Sequence, residues 1–333
     1  MDYEIFEYMH AEEWFMAIFF CVIFGGAGIY FFKFFKGKFD KRKHILNNYG
    51  GDVQKYIDIL KSNSELMSER KKCELINLFL NLILLLGVIL YFFNKQLSGL
   101  VILIRIAFWG VKNKKYYDIF KDCIIEDAIK AYDSELRYNK TGGFPRDLYD
   151  EGSFEIYNEY KSEDQMMGFV NDCEFMIADV RTRLVTEDHK GNRNYTNKFK
   201  GQIAMLYLSD FIDLDMTIGD NRLKLLGDDC RIEVDNQAFE QYFDVVTNNK
   251  INAMKALTPA VTNKILDLRI KYDLKFEIKL VSNKLYFRVY GGNLFEPEPL
   301  NIKVEAMGIA LYFEIISCIK DIMKEMIEAL KKV

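Results

Sequence analysis

Apolar positions fall into long unbroken runs at the start of the chain and into short periodic groups over the rest. Trp14 to Phe32 is a run of 19 residues without a charge. Leu75 to Phe93 is a second run of 19 that contains Asn77 and Asn81 but again no charge. A helix needs about 20 apolar residues to cross the hydrocarbon core of a bilayer, so each run predicts a span. Trp14 and Tyr30 lie at the two ends of the first run, where interfacial aromatics anchor a span. Leu97 to Val111 is a third apolar stretch, of 15 residues with Arg105 inside it. It is short for a lone span and reads as the return leg of a hairpin, joined by a turn over Asn94–Gln96. The first run is not a signal peptide. Glu4, Glu7, Glu12 and Glu13 precede it where such a leader carries Lys or Arg.

Basic residues orient these segments. Lys33, Lys36, Lys38, Lys41, Arg42 and Lys43 follow the first run, and Arg70, Lys71 and Lys72 precede the second. Lys112, Lys114 and Lys115 follow the third. Short loops rich in Lys and Arg stay in the cytoplasm. All three clusters are inside only if the tail is out, the loop 37–74 is in, and the domain after the hairpin is in. The alternative has two spans, with 97–111 flat at the interface, and leaves the third cluster outside. Asn77 and Asn81 are four residues apart and share a helix face. With Arg105 they form a candidate polar seam in the membrane, either an ion path or ordinary interhelical hydrogen bonding.

Elsewhere the pattern is that of a folded domain. Val53, Tyr56, Ile57 and Leu60 are spaced for one face of a helix within residues 52–70, lying on anionic lipid or packed on the domain. Tyr117, Phe120, Ile124, Ile125, Ala128 and Ala131 predict a helix leaving the membrane, broken at Lys140–Pro145. Strands are expected at Cys173–Ala178, Arg181–Val185 and Lys200–Leu208, with polar Glu187–Asn197 as a connection. Thr258 before Pro259 predicts the cap and first turn of a helix carrying Val261, Ile265, Leu268 and Arg269. Phe276, Ile278 and Leu280, then Ser282–Lys284, then Leu285, Phe287 and Val289 predict a β-hairpin with one wet face. The expected fold class is α+β: N-terminal transmembrane helices followed by a cytoplasmic domain of antiparallel sheet plus helix. The segments are an outer tail 1–13, transmembrane helix 14–36, cytoplasmic loop 37–74, transmembrane hairpin 75–112, cytoplasmic domain 113–303 and C-terminal helix 304–333.

In that last helix Ile309, Tyr312, Ile316, Ile319, Met323, Met326, Leu330 and Val333 are spaced three and four apart in alternation. Residues 305–318 carry a broad stripe and are expected to pack on the domain. From Ile319 the stripe narrows to a seam of Ile319, Met323, Met326 and Leu330. That seam is expected to meet either another subunit or the 52–70 helix of its own chain.

Several stretches taken in order resemble a family of bacterial membrane proteins, domain of unknown function 3137. They are Lys200-Gly201 opening a strand that ends Asp210-Phe211, then Asp235 to Phe243, then Ala256-Leu-Thr-Pro259, then Lys284-Leu-Tyr-Phe287, and Phe295-Glu-Pro297. The resemblance runs over about residues 75–300 and includes the hydrophobic hairpin before the domain. The first span and the loop 37–74 depart from the plain hairpin layout. The resemblance implies a bacterial inner-membrane location with several spans. It implies no reaction and supplies no catalytic residue.

Charge sharpens this picture. Residues 1–112 carry 14 Lys/Arg against 11 Asp/Glu, and the remainder 31 against 38. An acidic domain has no footprint for nucleic acid. The six cysteines, Cys21, Cys73, Cys123, Cys173, Cys230 and Cys318, form no CxxC pair and suit a reducing compartment. His10, His44 and His189 are isolated, which disfavours zinc. No phosphate loop, dinucleotide fingerprint, HExxH or GxSxG occurs. Asp210, Asp213, Asp215, Asp220, Asp228 and Asp229 cluster without the spacing of a calcium loop and read as a solvated loop. No catalytic residue, metal or cofactor is therefore assigned. The function expected is a non-catalytic binding or sensor module, anchored in the bilayer and meeting an unidentified protein or small molecule. The alternative is a membrane-perturbing effector that oligomerises on a signal. An acidic-site hydrolase using Asp213 and Asp215 ranks last.

Overall fold

The computed structural model describes residues 52–91, 93, 114–208, 212–221, 231–292, 295, 297 and 301–331. The outer tail 1–13, the first span 14–36, the loop up to residue 51 and the return leg Leu97–Val111 lie outside these residues. The chain divides into two compact units, one containing Ser64–Tyr117 and the other Val53–Asn63, Asp118–Glu298 and Ile302–Val333.

The first two helices are α1 (Gln54–Ser62) and α2 (Ser64–Tyr91). The expected 52–70 helix is thus divided at Asn63, where the backbone turns extended. Its second part and the start of the predicted span form one helix, Ser64–Tyr91. Within the first unit, Lys115 of the next helix pairs with Glu65 at 2.9 Å, and Arg70 donates to the Tyr116 hydroxyl at 2.7 Å. Among the described residues no helix is long and apolar enough to cross a membrane.

The second unit is an α+β domain built on one antiparallel sheet. After α3 (Lys114–Ile119), a π-helical turn (Phe120–Ile124) and α4 (Ile125–Tyr132) come β1 (Arg137–Asn139), α5 (Arg146–Glu151), β2 (Glu159–Val170), β3 (Cys173–Glu187) and β4 (Arg193–Tyr207). Then follow β5 (Met216–Asp220), β6 (Arg231–Ile232), α6 (Gln237–Glu240), β7 (Phe243–Thr247), α7 (Lys250–Ala256), α8 (Pro259–Tyr272), β8 (Lys275–Val281), β9 (Lys284–Tyr290) and α9 (Ile302–Lys331). The nine strands lie in the order β1-β2-β3-β4-β9-β8-β5-β7-β6.

Local chemistry explains the turns. Asn171 and Asp172 between β2 and β3, and Ser282 and Asn283 between β8 and β9, all have positive φ, as a two-residue hairpin turn that follows strand twist requires. Thr258 accepts from the Val261 amide and Pro259 opens α8, as the sequence predicts. The two short strands expected at Cys173–Ala178 and Arg181–Val185 are one strand, and the polar stretch after it is mostly ladder. Only Asp188–Asn192 turns, with the Asp188 carboxylate accepting from the Lys190 and Asn192 amides at 2.8 Å.

The sheet is covered on both faces. Phe175 and Ile177 of β3, and Phe276, Ile278, Leu285 and Phe287 of the β8–β9 hairpin, are buried on one face. Lys320 of α9 reaches over the Phe175 ring there. On the other face Ala178, Val180, Phe199, Ile203, Met205 and Tyr286 form a core with Phe144 and Tyr149. Hence the hairpin's predicted wet face is not wet. Residues 144–160 cross it as an aromatic strap, so Glu277 and Arg288 are buried there with 5% and 1% of their surface exposed.

α9 is buried along its whole length. Ile319, Met323, Met326 and Leu330 are all buried in the chain itself, so they offer no surface to a second subunit in this structure. Ile322 and Ile327 are buried with them, which makes the stripe as broad in the second half as in the first. α1 lies beside the first half of α9, where Tyr56 stacks on Phe313 at 5.7 Å, whereas the part from Ile319 is flanked by α8, with Lys264 pairing with Glu325 at 2.8 Å.

Candidate functional site

The densest grouping of charge lies under the strap. Arg288 projects from β9, whose cross-strand neighbours place Ile203 on one side and Glu277 on the other. Its guanidinium lies between the Phe154 and Phe199 rings, 4.0 and 4.2 Å from their centroids. One terminal nitrogen donates to Glu277 at 3.0 Å. The other donates to Glu155 at 2.7 Å and to the Tyr149 hydroxyl at 3.0 Å. Thr182 donates to the second Glu155 oxygen at 2.6 Å. Burial pushes the Glu277 carboxyl above its usual range and pulls the Lys279 ammonium below its own. Burial also opposes the Arg288 charge, but Tyr149, Tyr290 and the two carboxylates outweigh it, so the guanidinium holds its proton more firmly than usual.

The strap is built to reach this group. Pro145 leads into α5, and Gly152 follows it; a Cβ at Gly152 would meet the Phe154 ring at 2.2 Å, so the ring folds back only over glycine. Three more basic or phenolic groups of the hairpin tie the strap down. Lys284 pairs with Glu151, Lys279 donates to the Ser153 carbonyl at 3.1 Å, and Tyr286 donates to the Leu148 carbonyl at 2.9 Å. Chemically this is a closed clamp. Arg288 has both terminal nitrogens paired, and the aromatic faces that could receive a ligand cation already hold one.

A second grouping is open. Beyond Gly201 the outer ends of β3 and β4 run on together as an arm, Arg183 opposite Asn197 through Glu187 opposite Arg193. Residues 193–198 are exposed throughout. β9 pairs with β4 only over Gly201–Tyr207, so the outer side of Arg193–Lys198 has no strand beside it among the described residues. Residues 181–200 carry six basic side chains, Arg181, Arg183, Lys190, Arg193, Lys198 and Lys200, against Glu187 and Asp188. The other side of the arm is not open: Asn158 holds Val185 through both its amide oxygen and nitrogen.

The residues singled out by sequence do not converge. Asn77 is half-buried on α2, while the Asn81 side chain and Arg105 lie outside the described residues. Asp220 is buried against Arg269 at 2.7 Å. The Asp213 carbonyl accepts from Asn249 and Asn252, and the Asp215 amide donates to Asn248. Asp210, Asp228 and Asp229 are outside the described residues, and among those described no group of His, Cys, Asp and Glu is placed to hold a metal. His189 is exposed at the tip of the arm, at the opposite end of β3 from buried Cys173. The clamp was missed because Glu155 and Arg288 are 133 residues apart. The signal in the sequence is charge on the alternate positions Glu277, Lys279 and Arg288 of a hairpin, a pattern shared with solvent-exposed faces.

No curated protein matches the chain. Among solved structures, the crystal structure of the mycobacterial trehalose monomycolate transport factor A, TtfA, matches at 7% identity and a TM-score of 0.34, covering 58% of this chain and 95% of that one. Residues 194–327, from the outer end of β4 into α9, match the model of a family described as "Protein of unknown function (DUF3137)", the family that the sequence resembles.

Proposed function

We propose that the chain is a membrane-anchored binding module whose α+β domain lies on the cytoplasmic side and recruits a partner without catalysing a reaction. The observation that carries this reading is the surface of α2. Leu75, Ile76, Leu78, Phe79, Leu82 and Leu86 are each at least half exposed. Five of them recur at spacings that keep them on one face, a patch of a kind that marks contact with lipid or protein. The stripe begins directly after Arg70–Lys72, the position of a cytoplasmic basic cluster. The charges of the domain support binding over chemistry. Arg288, Asp220 with Arg269, and Asp164 with Lys121 and Tyr138 are spent on one another.

Alkaline extraction of membranes from expressing cells tests the anchor. The chain should stay in the pellet, and recovery in the soluble fraction would refute it. Orientation is tested separately by Asn192→Cys, at the exposed tip of the arm, with exposed Cys123 replaced by Ser. Impermeant thiol reagent should label Cys at 192 only after permeabilisation.

A further inference from the structure

We propose that the open edge of β4 is a docking site for an extended acidic segment of a partner protein, which adds to the sheet as a further strand. Arg193–Lys198 presents the backbone groups of its outer side with no strand against them among the described residues. An exposed edge of this kind is a template for another extended chain, whose main-chain hydrogen bonds supply affinity while alternate side chains supply selectivity. Arg193, Lys198 and Lys200 line the edge, with Arg181 and Arg183 on the strand behind it. This net excess of four positive charges over residues 181–200 sits in a C-terminal part whose remaining charge is strongly negative. The complement is therefore an acidic chain.

The two sides of the arm differ in a way that fits this use. On the β3 side the Asn158 side chain closes the ladder at Val185, whereas among the described residues no strand pairs with the outer side of Arg193–Lys198. Gly201 lets β4 pass within touching distance of β9, since a Cβ there would lie 1.9 Å from the Val289 carbonyl oxygen. β9 then ends at Tyr290, and the Gly291 amide makes the last bond to β4, donating to the Lys200 carbonyl at 3.0 Å. An added strand would continue the place in the sheet that β9 vacates. An anionic bilayer fits less well. The tip holds Glu187 and Asp188, and Asp188 is locked into the turn by Lys190 and Asn192, so the part that would reach lipid first is acidic and polar.

The proposal rests on reading the domain as a binding module, but its test is independent of the anchor. Full-length protein purified in neutral detergent is titrated with a fluorescent peptide of alternating Val and Glu, about eight residues long to match a strand. Saturable binding is expected, together with slowed amide exchange at residues 193–198. Arg193→Glu with Lys198→Glu should weaken binding at least about tenfold. The same peptide N-methylated on alternate amides should not bind. Absence of saturable binding overturns the proposal, as does equal binding of the N-methylated peptide or indifference to the charge reversal. Retention of phosphatidylglycerol vesicles by the arm in place of the peptide would assign it to membrane. Carbonate extraction of the charge-reversed chain reports the anchor alone and should be unchanged.

Discussion

Arg288 and Arg193 stand on strands of one sheet, and their surroundings give them opposite work. Arg288 has 1% of its surface exposed, two carboxylates and a tyrosine for partners, and a ring on each side. Arg193 stands in a run of residues exposed throughout, on a strand with one side open. Burying an ion pair costs desolvation that its attraction only partly repays, so a group such as the clamp holds a particular arrangement in place. Exposed charges cost little and stabilise little, which leaves them free to select a partner. The clamp fixes the strap; the arm leaves its specificity unspent.

The sharpest way to break this comparison is to remove the buried guanidinium. Arg288→Ala should destabilise the domain by about 3–5 kcal/mol, because buried Glu277 is left with only Lys279 near it and half-buried Glu155 loses its guanidinium partner. Denaturant unfolding of the solubilised chain measures it, and a loss below about 1 kcal/mol would reduce the clamp to packing. Adding Glu155→Gln and Glu277→Gln to Arg288→Met should recover part of the loss. The junction between the two regions comes next. Gly201→Val drives a side chain into the Val289 carbonyl and should cost about 1–3 kcal/mol, with amide exchange rising first along the β4–β9 ladder. Charges on the arm should matter least to stability: Arg193→Ala and Lys198→Ala together should stay within about 0.5 kcal/mol. A larger loss would show that the arm, too, is structural.

The smallest expected effect concerns pH. Hydrogen bonds from the Asn192 side chain and from the Asn192 and Lys190 amides hold the Asp188 carboxyl below its ordinary value. A carboxyl with a depressed folded-state pKa stabilises above its unfolded pKa and loses that contribution as pH falls through the folded one. The tip should therefore be tight at neutral pH and loosen below the usual aspartate range near 4. Exchange rates of the Lys190 and Asn192 amides between pH 6 and pH 3 would follow it; flat corrected rates would refute the linkage.

The elements written in local chemistry were legible in the sequence. Thr258-Pro259, the Ser282-Asn283 turn and the alternation from Phe276 to Val289 each specify their structure within a few residues. What escaped depends on distant partners. The face of Glu277 and Arg288 looks solvated until a strap from residues 144–160 is laid over it, and nothing near either residue announces that strap. Likewise Ile322 and Ile327 fall outside the three-and-four spacing of the α9 seam, yet their burial makes its second half as broadly apolar as its first. The start of β4, Arg193–Asn197, reads as part of a connection because neither face of an exposed arm needs apolar residues.

The strand order has a consequence for synthesis. β4 pairs with β9 on its inner side, yet β4 ends at Tyr207 and β9 begins at Lys284. A ribosome adding about 5–20 residues per second takes roughly 4–15 s to cover that interval. Throughout it the buried-to-be edge of β4, rich in Ile203, Ala204, Met205 and Leu206, has no native neighbour. Slow codons between residues 208 and 283 lengthen this interval and should raise aggregation of the nascent chain, whereas slow codons before residue 193 should not.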